Sequence, residues 1–285
     1  MERFCIIANQ SKEAAYQIGE QIATYLHEQG KQAIFAPWKT GKEGYYTDVS
    51  ALPQNIEAAV VLGGDGTILQ AAKDLLQTGI PIIGINMGTL GFLAETELSE
   101  VDKTFQALFS EQYEIDERMM LSVQILREKE EIFSNQFYAL NDAVITRSGF
   151  SRLIAVGTYV NGALINDYRG DGVIISTPTG STGYNLSAGG PVVVPKAQLI
   201  VITPICPHTL NTRSIVVSSK DEVEIRIRQS KKTQQEEAIL TIDGITPIHL
   251  SADDTIFIER AKYTTKLIRL KEKNFFNILR TKIGG

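Results

Sequence analysis

A short glycine-rich segment, residues 63–67 with the sequence GGDGT, follows an apolar run and precedes a helical pattern. Glycine has no Cβ, so these positions can take positive φ and let the backbone approach a phosphate closely. The following helix would present free N–H groups and the positive end of its dipole, which suits an anion. The segment therefore predicts a phosphate-binding turn formed by Gly63, Gly64, Gly66 and Thr67.

Asp65 is unusual within such a turn, because a carboxylate repels a bound phosphate. Its presence makes sense if it accepts a proton from an attacking hydroxyl group, or if a divalent metal ion lies between it and the phosphates. The alternative is a plain strand-to-helix turn with an incidental aspartate. On the chemical interpretation, Asp65 is the candidate catalytic residue.

Other polar groups interrupt otherwise apolar stretches. Residues 177–184, TPTGSTGY, offer hydroxyl groups and the ring of Tyr184 as a stacking face. Asn141-Asp142 lies inside a predicted strand, and residues 169–172, RGDG, precede another. Buried polar groups need hydrogen-bond partners. Either a network of turns or a ligand with ribose hydroxyls and amides would supply them.

Two common nucleotide-binding motifs are missing from the sequence. It contains neither the GxxxxGK[ST] P-loop nor the GxGxxG dinucleotide fingerprint. A nucleotide would therefore have to be bound by another arrangement.

Composition narrows the class of protein. The net charge of −5 argues against nucleic-acid binding, which favours a basic surface. Hydrophobic residues make up 43% and charged residues 21%, as in an ordinary globular protein, and no apolar stretch has the length of a membrane span. The sequence opens as a strand without signal-peptide features. We therefore expect a cytoplasmic protein without nucleic-acid or membrane partners.

The elements that position these groups fall into two kinds. Up to about residue 115, apolar runs alternate with helical patterns, which predicts a parallel sheet covered by helices. Within that part, residues 37–55 are rich in Gly, Pro and Tyr and are predicted to form a long mobile loop. Residues 116–270 contain successive strand patterns with few helical stripes, which predicts an all-β domain. A short amphipathic helix near the C-terminus is expected to pack on the first domain.

In order and spacing, these segments resemble the NAD kinase family along nearly the whole chain. The GGDG turn alone is also similar to diacylglycerol, sphingosine and phosphofructo kinases, whereas residues 177–182, TPTGST, are more specific. Residues 86–93, NMGTLGFL, and residues 275–280, FFNILR, are similar to family segments as well. The sequence is identified as a member of the NAD kinase family, bacterial type.

The resemblance implies a fold and a reaction. The implied fold class is α+β with two domains: a Rossmann-like α/β domain at 1–115, a β-sandwich at 116–270, and a tail, 271–285, that returns to the first domain. NAD would bind between the domains. The implied reaction moves a phosphoryl group from ATP, or polyphosphate in some members, to the adenosine-ribose 2′-hydroxyl of NAD, with Asp65 as general base.

The resemblance also implies ligands and an assembly. A divalent metal cation, Mg²⁺ with ATP, is the implied cofactor, no residue is assigned as a metal ligand, and the implied homo-oligomer is a dimer or a tetramer. The implied substrate-binding residues are Asp65, Gly66, Asn141, Asp142, Arg152, Arg169, Asp171, Thr182, Gly183, Tyr184, Asn185, Leu186 and Ser187.

Three positions depart from the family pattern. Asp142 stands where Glu is usual and is one methylene shorter, Gly183 stands where Ala is usual, and Ile245 stands where Gln often follows Asp-Gly. Rival functions for the same turn are a lipid or sugar kinase, a phosphatase acting on NADP, and a non-catalytic NAD(P)-binding regulatory module. The chain lacks the apolar entry surface or basic patch of a lipid kinase, and Asp65 argues against a module without catalysis.

Overall fold

The structure of the 285-residue chain is a computed structural model. It describes residues 1–8, 13–41, 44–88, 91–94, 96–127, 132–148, 153–209, 212–228, 238–270 and 274–283. Two compact units divide the chain: Met1–Arg118 together with Thr264–Gly285, and Met119–Tyr263. Within the described ranges, no helix is both long enough and apolar enough to cross a membrane.

The first unit is built around a parallel sheet with the strand order β2-β1-β5-β6. Its elements are β1 (Arg3–Ala8), α1 (Glu13–Glu28), β2 (Gln32–Phe35), β3 (Trp38–Gly41), β4 (Gly44–Thr47), β5 (Ala58–Gly63), α2 (Asp65–Asp74), β6 (Ile82–Asn86), β7 (Thr96–Glu97), α3 (Val101–Phe109) and the start of β8 (Tyr113–Arg127). Residues 58–62 are fully buried, as a parallel strand covered on both faces requires. The predicted α/β character of this part is confirmed.

Helix α1 illustrates how the sequence pattern becomes packing. Ile22 and Leu26, four residues apart, lie on its buried face and join the core of the sheet. Gly30 follows the helix with a φ of 73°, a conformation that glycine adopts without steric cost.

The prediction of a long loop over residues 37–55 is wrong for much of that segment. Strands β3 and β4 form an antiparallel hairpin, and a 3₁₀ turn follows. The N–H of Asp48 donates to the carbonyl of Pro37 (2.7 Å), and the N–H of Thr47 donates to Oδ2 of Asp74 on α2 (2.7 Å). The aromatic and threonine side chains that accompany the glycines favour strands, and these hydrogen bonds fix the hairpin to the unit.

The second unit consists of two antiparallel sheets. Its elements are the rest of β8, β9 (Ile132–Phe133), β10 (Phe137–Ala139), β11 (Asp142–Arg147), β12 (Ile154–Val160), β13 (Ala163–Gly170), β14 (Gly172–Ser176), α4 (Tyr184–Ser187), β15 (Leu199–Ile205), β16 (Ile215–Ser218), β17 (Val223–Arg228), β18 (Ala238–Ile242), β19 (Ile245–Leu250) and the start of β20 (Thr255–Leu270). One sheet contains the order β13-β12-β17-β20, and the other is β16-β15-β14-β11-β18-β19. Both contribute to a single core, with Val156 and Ile225 from the first and Ile145 and Ile175 from the second. The predicted β-sandwich is confirmed.

The chain returns to the first unit near its end. Strand β20 crosses from the second unit into the first, where Leu267 pairs with Ile82 of β6. Helix α5 (Phe275–Ile283) follows, with Ile278 buried, so the expected return of the tail is confirmed. The unit boundaries, after Arg118 and after Tyr263, differ from the expected 115 and 270 because β8 and β20 each contribute to both units.

A buried ionic cluster joins β8 and β20 within the first unit. Oδ2 of Asp116 accepts hydrogen bonds from Nε of Arg118 (2.9 Å) and from Nη1 of Arg269 (3.0 Å). Asp116 is 3% exposed and Arg118 is 1% exposed. Burial lowers the pKa of Arg118, and the charge of Asp116 opposes that shift. Asp116 therefore supplies a counter-charge to the buried guanidinium of Arg118 and to the partly buried guanidinium of Arg269.

We expect Asp116→Ala to lower the free energy of unfolding by about 3 kcal/mol, because it removes one partner of a buried ion pair. Glu117→Ala is the matched control, an exposed carboxylate in the same strand, and should change that free energy by less than about 0.5 kcal/mol. Urea unfolding followed by circular dichroism measures both variants. Equal stability of the two would contradict the role given to Asp116.

Candidate active site

The glycine-rich turn lies at the carboxyl end of the parallel sheet. Gly63 ends β5 and pairs with Asn86, which ends β6, so the two strand ends meet at one edge. Helix α2 begins at Asp65, with Gly64 as its N-cap and no side-chain cap hydrogen bond. Ligands of open α/β sheets bind at this edge, and a helix N-terminus favours an anion.

Gly63, Gly64 and Gly66 do not use the positive φ that glycine allows, since all three lie outside that region. Gly63 is required for packing instead, since a Cβ there would lie 2.2 Å from Oγ1 of Thr67. Gly64 and Gly66 are exposed, and a Cβ on either would meet nothing within 4 Å. The bare backbone at these two positions leaves the start of α2 accessible.

Three backbone N–H groups hold the carboxylate of Asp65. Its Oδ1 accepts from the N–H of Leu93 (3.0 Å) and of Ala94 (3.1 Å), and its Oδ2 accepts from the N–H of Phe92 (2.9 Å). The absence of a side chain at Gly91 permits this approach, because a Cβ there would lie 1.8 Å from Oδ1. The position of the carboxylate is thus set by the backbone that surrounds it.

The hydrogen bonds leave part of the carboxylate available. An ionised carboxylate has about four lone-pair sites, and residues 91–94, named here the carboxylate-binding turn, occupy three of them. Among the donors of the described residues, two share Oδ1 and one binds Oδ2, so within that part of the chain the remaining site lies on Oδ2. Asp65 can therefore accept one more hydrogen bond, or a proton, at that oxygen.

In the second unit, the carboxylate of Asp243 holds the backbone that carries Asn141 and Asp142. It accepts from the N–H of Leu140 (2.8 Å), of Asn141 (2.7 Å) and of Asp142 (3.1 Å). Asp243 has a φ of 51° in the tight turn between β18 and β19. The apolar pattern across this region predicts one strand, but the structure has β10 and β11 with this side-chain anchor at the break between them.

Asp142 is a buried carboxyl group beside another carboxylate. It is 5% exposed. Burial, and then the neighbouring charge of Asp243, raise the pKa of Asp142 from 3.8 to about 7. Both protonation states are therefore populated near neutral pH, and the protonated state can donate a hydrogen bond as well as accept one.

The hydroxyl-rich loop folds back onto Asn141. The N–H of Thr177 donates to the carbonyl of Asn141 (2.8 Å), and a Cβ at Gly180 would lie 2.2 Å from that same oxygen. A Cβ at Gly183 would lie 3.6 Å from Nδ2 of Asn141 and 3.8 Å from Oδ2 of Asp142. The structure thus brings three predicted binding residues, Asn141, Asp142 and Gly183, into one patch of the second unit.

The remaining predicted residues of this loop differ in exposure. The side chains that reach the surface fully or in part are those of Thr182, Tyr184, Leu186 and Ser187. Asn185 is fully buried: its Nδ2 donates to the carbonyls of Ser181 (2.9 Å) and Pro191 (3.0 Å), and its Oδ1 accepts from Oγ1 of Thr203 (2.7 Å). The Asn185 side chain holds the loop in shape.

Predicted residues Arg169 and Asp171 lie at the other end of β11 from Asp142. Oδ1 of Asp171 is bound by Nε of Arg147, the last residue of β11 (2.8 Å). Asp142 is the first residue of that strand, so roughly 17 Å separates the two ends at about 3.4 Å per residue. The structure therefore does not bring these two residues next to Asp142 within the chain. Arg152 lies outside the described residues.

Two groups that position the site were missed by sequence reasoning. Asp243 was not a candidate, although an Asp-Gly pair between two strand patterns is the signal of a tight hairpin turn. The carboxylate-binding turn acts through backbone N–H groups, which no residue type reveals. Its signal is Gly91, a position where a side chain would displace the carboxylate.

A parallel α/β unit with a glycine-rich helix N-terminus at the carboxyl ends of its strands has the arrangement in which α/β proteins bind anions such as phosphate groups, and this chain adds an antiparallel sandwich. Residues 4–113 match the ATP-NAD kinase N-terminal domain, and residues 140–270 match the ATP-NAD kinase C-terminal domain. The chain therefore belongs to the ATP-NAD kinase family. The predicted family and phosphotransferase class are confirmed.

Individual relatives are similar to this chain over its full length. The chain is 56% identical over 284 residues to a protein named NAD kinase from Lachnoclostridium phytofermentans, covering 100% of this chain and 99% of that one. It is 39% identical over 295 residues to a protein named NAD kinase from Lachnospira eligens, covering 99% and 100%.

Two solved structures share the fold. The first is yeast NADH kinase complexed with NADH, with a TM-score of 0.87, 24% identity, and coverage of 100% of this chain and 88% of that one. The second is an NAD kinase from Archaeoglobus fulgidus in complex with ATP, with a TM-score of 0.74, 24% identity, and coverage of 100% and 99%. The two-domain fold class is confirmed.

The raised pKa of Asp142 predicts that stability falls as pH rises. Between the unfolded value of 3.8 and the folded value of about 7, the folded chain holds a proton that the unfolded chain has lost. Each pH unit in that window costs about 1.4 kcal/mol of stability. We expect Asp142→Asn, which is neutral at every pH, to gain roughly 2 to 3 kcal/mol over wild type between pH 5 and pH 8.

Urea unfolding of both proteins at the two pH values measures this gain. Asp253→Asn is the control: Asp253 is exposed, and its φ of 75° is one that Asn tolerates. A gap between Asp142→Asn and wild type that stays constant with pH would rule out the shifted titration.

Proposed function

We propose that this protein transfers the γ-phosphoryl group of ATP to the 2′-hydroxyl of the adenosine ribose of NAD, with Asp65 as general base. The observation that carries the proposal is the position of the Asp65 carboxylate at the start of α2. Three N–H groups of the carboxylate-binding turn hold it, and one acceptor site remains on Oδ2. The names of the relatives, and the solved structures with NADH and with ATP, support NAD and ATP as the substrates.

Proton transfer at Oδ2 of Asp65 is the chemical step assigned to the protein. Oδ2 accepts the 2′-hydroxyl proton as the 2′-oxygen forms its bond to the γ-phosphorus. The bond between that phosphorus and the β–γ bridging oxygen breaks, and ADP leaves with the electron pair. A base that has already bound three N–H groups needs little rearrangement to receive the proton.

The start of α2 is proposed to bind the phosphates of ATP. The N–H of Thr67 donates to the carbonyl of Gly64 (3.0 Å), which begins the helical hydrogen bonding. By helix geometry, the N–H groups of Asp65 and Gly66 then point out of the N-terminus. Gly63 supports the turn by leaving room for Thr67. The donor substrate is proposed to be the Mg²⁺ complex of ATP, so that the divalent cation enters with it, and polyphosphate is the alternative donor.

NAD recognition is assigned to the second unit. The patch of Asn141, Asp142 and Gly183 offers amide, carboxyl and backbone groups, and Tyr184 offers an exposed ring on which a base can stack. Asn185 contributes by holding the loop. The other proposed contacts, carried over from the resemblance, are Asp65, Gly66, Arg152, Arg169, Asp171, Thr182, Leu186 and Ser187.

The cellular setting is also part of the proposal. We propose a cytoplasmic homo-oligomer, a dimer or a tetramer, without nucleic-acid or membrane partners. Its support is the family resemblance together with the acidic net charge of −5.

We expect Asp65→Asn to lower kcat by about a hundred- to ten-thousand-fold, since general-base catalysis has that magnitude. Asn keeps the size of Asp and one acceptor oxygen, which can still bind the N–H groups of Leu93 and Ala94, but it cannot take the proton. NADPH absorbance in a coupled assay, with NAD, MgATP and an NADP-specific dehydrogenase, measures kcat, and calorimetry measures the Kd for NAD. The Kd should change by less than about threefold.

Asp102→Asn is the matched control, because Asp102 is exposed in the first turn of α3 and should leave kcat unchanged. Turnover of Asp65→Asn near the wild-type rate would refute the base assignment. Absence of NADP formation by wild type, with polyphosphate also tried as donor, would refute the proposed kinase activity.

A further inference from the structure

The C-terminal helix packs against the turn that holds Asp65. The ring of Phe275, the first residue of α5, lies 6.2 Å from the ring of Phe92 between centroids, at an interplanar angle of 42°. From the last turn of the same helix, Nζ of Lys282 lies 5.0 Å from the centroid of the Phe92 ring. Aromatic pairs and a cation over a ring are both attractive at these distances.

Phe92 differs from its neighbours in how it is held. Leu93 and Ala94, which bind Oδ1 of Asp65, are 7% and 0% exposed. Ala94 also packs closely on Gly84, since a Cβ added to Gly84 would lie 3.1 Å from the Cα of Ala94. Phe92 is only half-buried. Contacts from α5 therefore matter more for Phe92 than for the other two donors.

One hydrogen bond connects Phe92 to the proposed catalytic carboxylate. The N–H of Phe92 is the donor to Oδ2 of Asp65 (2.9 Å), the oxygen with the remaining acceptor site. Loss of support for the Phe92 ring would let its backbone N–H shift, and this hydrogen bond helps to fix the carboxylate plane that sets the direction of the free lone pair of Oδ2. A misplaced reacting group loses rate without necessarily losing affinity.

We propose that Phe275 is a positioning residue for phosphoryl transfer: by packing on Phe92, it holds the N–H that orients Oδ2 of Asp65. The inference rests on the proposed role of Asp65 as general base. It assigns to the C-terminal helix a part in catalysis that acts through Phe92.

The test compares Phe275 with an exposed residue of the same helix. Phe275→Ala should lower kcat about tenfold and change the KM for NAD by less than twofold, whereas Phe275→Tyr, which keeps the ring, should restore kcat. Asn277→Ala is the control, because Asn277 is exposed on the same helix and should leave kcat and KM unchanged, whereas the neighbouring ring of Phe276 packs on Phe275 (5.5 Å between centroids). The thermal midpoint of each variant is measured alongside. If Phe275→Ala melts below the assay temperature, Phe275→Leu replaces it, since Leu keeps apolar volume without the ring.

A double-mutant cycle separates positioning from general damage. In an Asp65→Asn background, Phe275→Ala should cause no further loss of kcat, because the group that it positions is gone. The same tenfold loss in both backgrounds would show a structural effect and overturn the inference. An unchanged kcat for Phe275→Ala would overturn it as well, while leaving the Asp65 assignment intact. High activity of Asp65→Asn alone would instead refute the proposed base.

Discussion

The three N–H groups donated to Asp65 are the constraint on which the site of the first unit depends. A carboxylate beside a helix N-terminus would otherwise turn toward the nearest free N–H groups of its own helix. The carboxylate-binding turn, in the chain that follows β6, instead binds the carboxylate through three N–H groups. That arrangement requires neighbouring strand ends at one edge, and the pairing of Gly63 with Asn86 supplies them. The register of β5 and β6 therefore places the turn that binds the carboxylate beside Asp65.

The second unit uses the same interaction in the opposite sense. Around Asp65, the backbone fixes a side chain, whereas Asp243 is a side chain that fixes the backbone of residues 140–142. Its position in a hairpin turn, with positive φ, lets one carboxylate reach three successive N–H groups. In both units a chemically useful group is held by hydrogen bonds rather than by hydrophobic packing, which gives direction as well as position.

The departures from the family pattern fall beside this anchor. Asp142, one methylene shorter than the usual Glu, lies buried next to Asp243. Gly183 leaves open the space that an Ala methyl group would take, 3.6 Å from Nδ2 of Asn141 and 3.2 Å from the carbonyl of Gly180. Burial of like charges costs stability, and such costs concentrate at functional sites. Ile245 begins β19, directly after the turn that carries Asp243.

The sequence by itself determined the alternating first half, the all-β second half and the glycine-rich turn from strand to helix at residues 63–67. Those features follow from local pattern: residue periodicity, glycine spacing and the order of motifs. Tertiary structure decided the hairpin within residues 37–55, the separation of Asp171 from Asp142, and the burial of Asn185. It also decided that Gly63 and Gly91 serve close packing rather than positive φ. The physical reason is that hydrogen bonds from distant backbone groups carry no residue signature, so only the folded chain shows which carboxylate they hold.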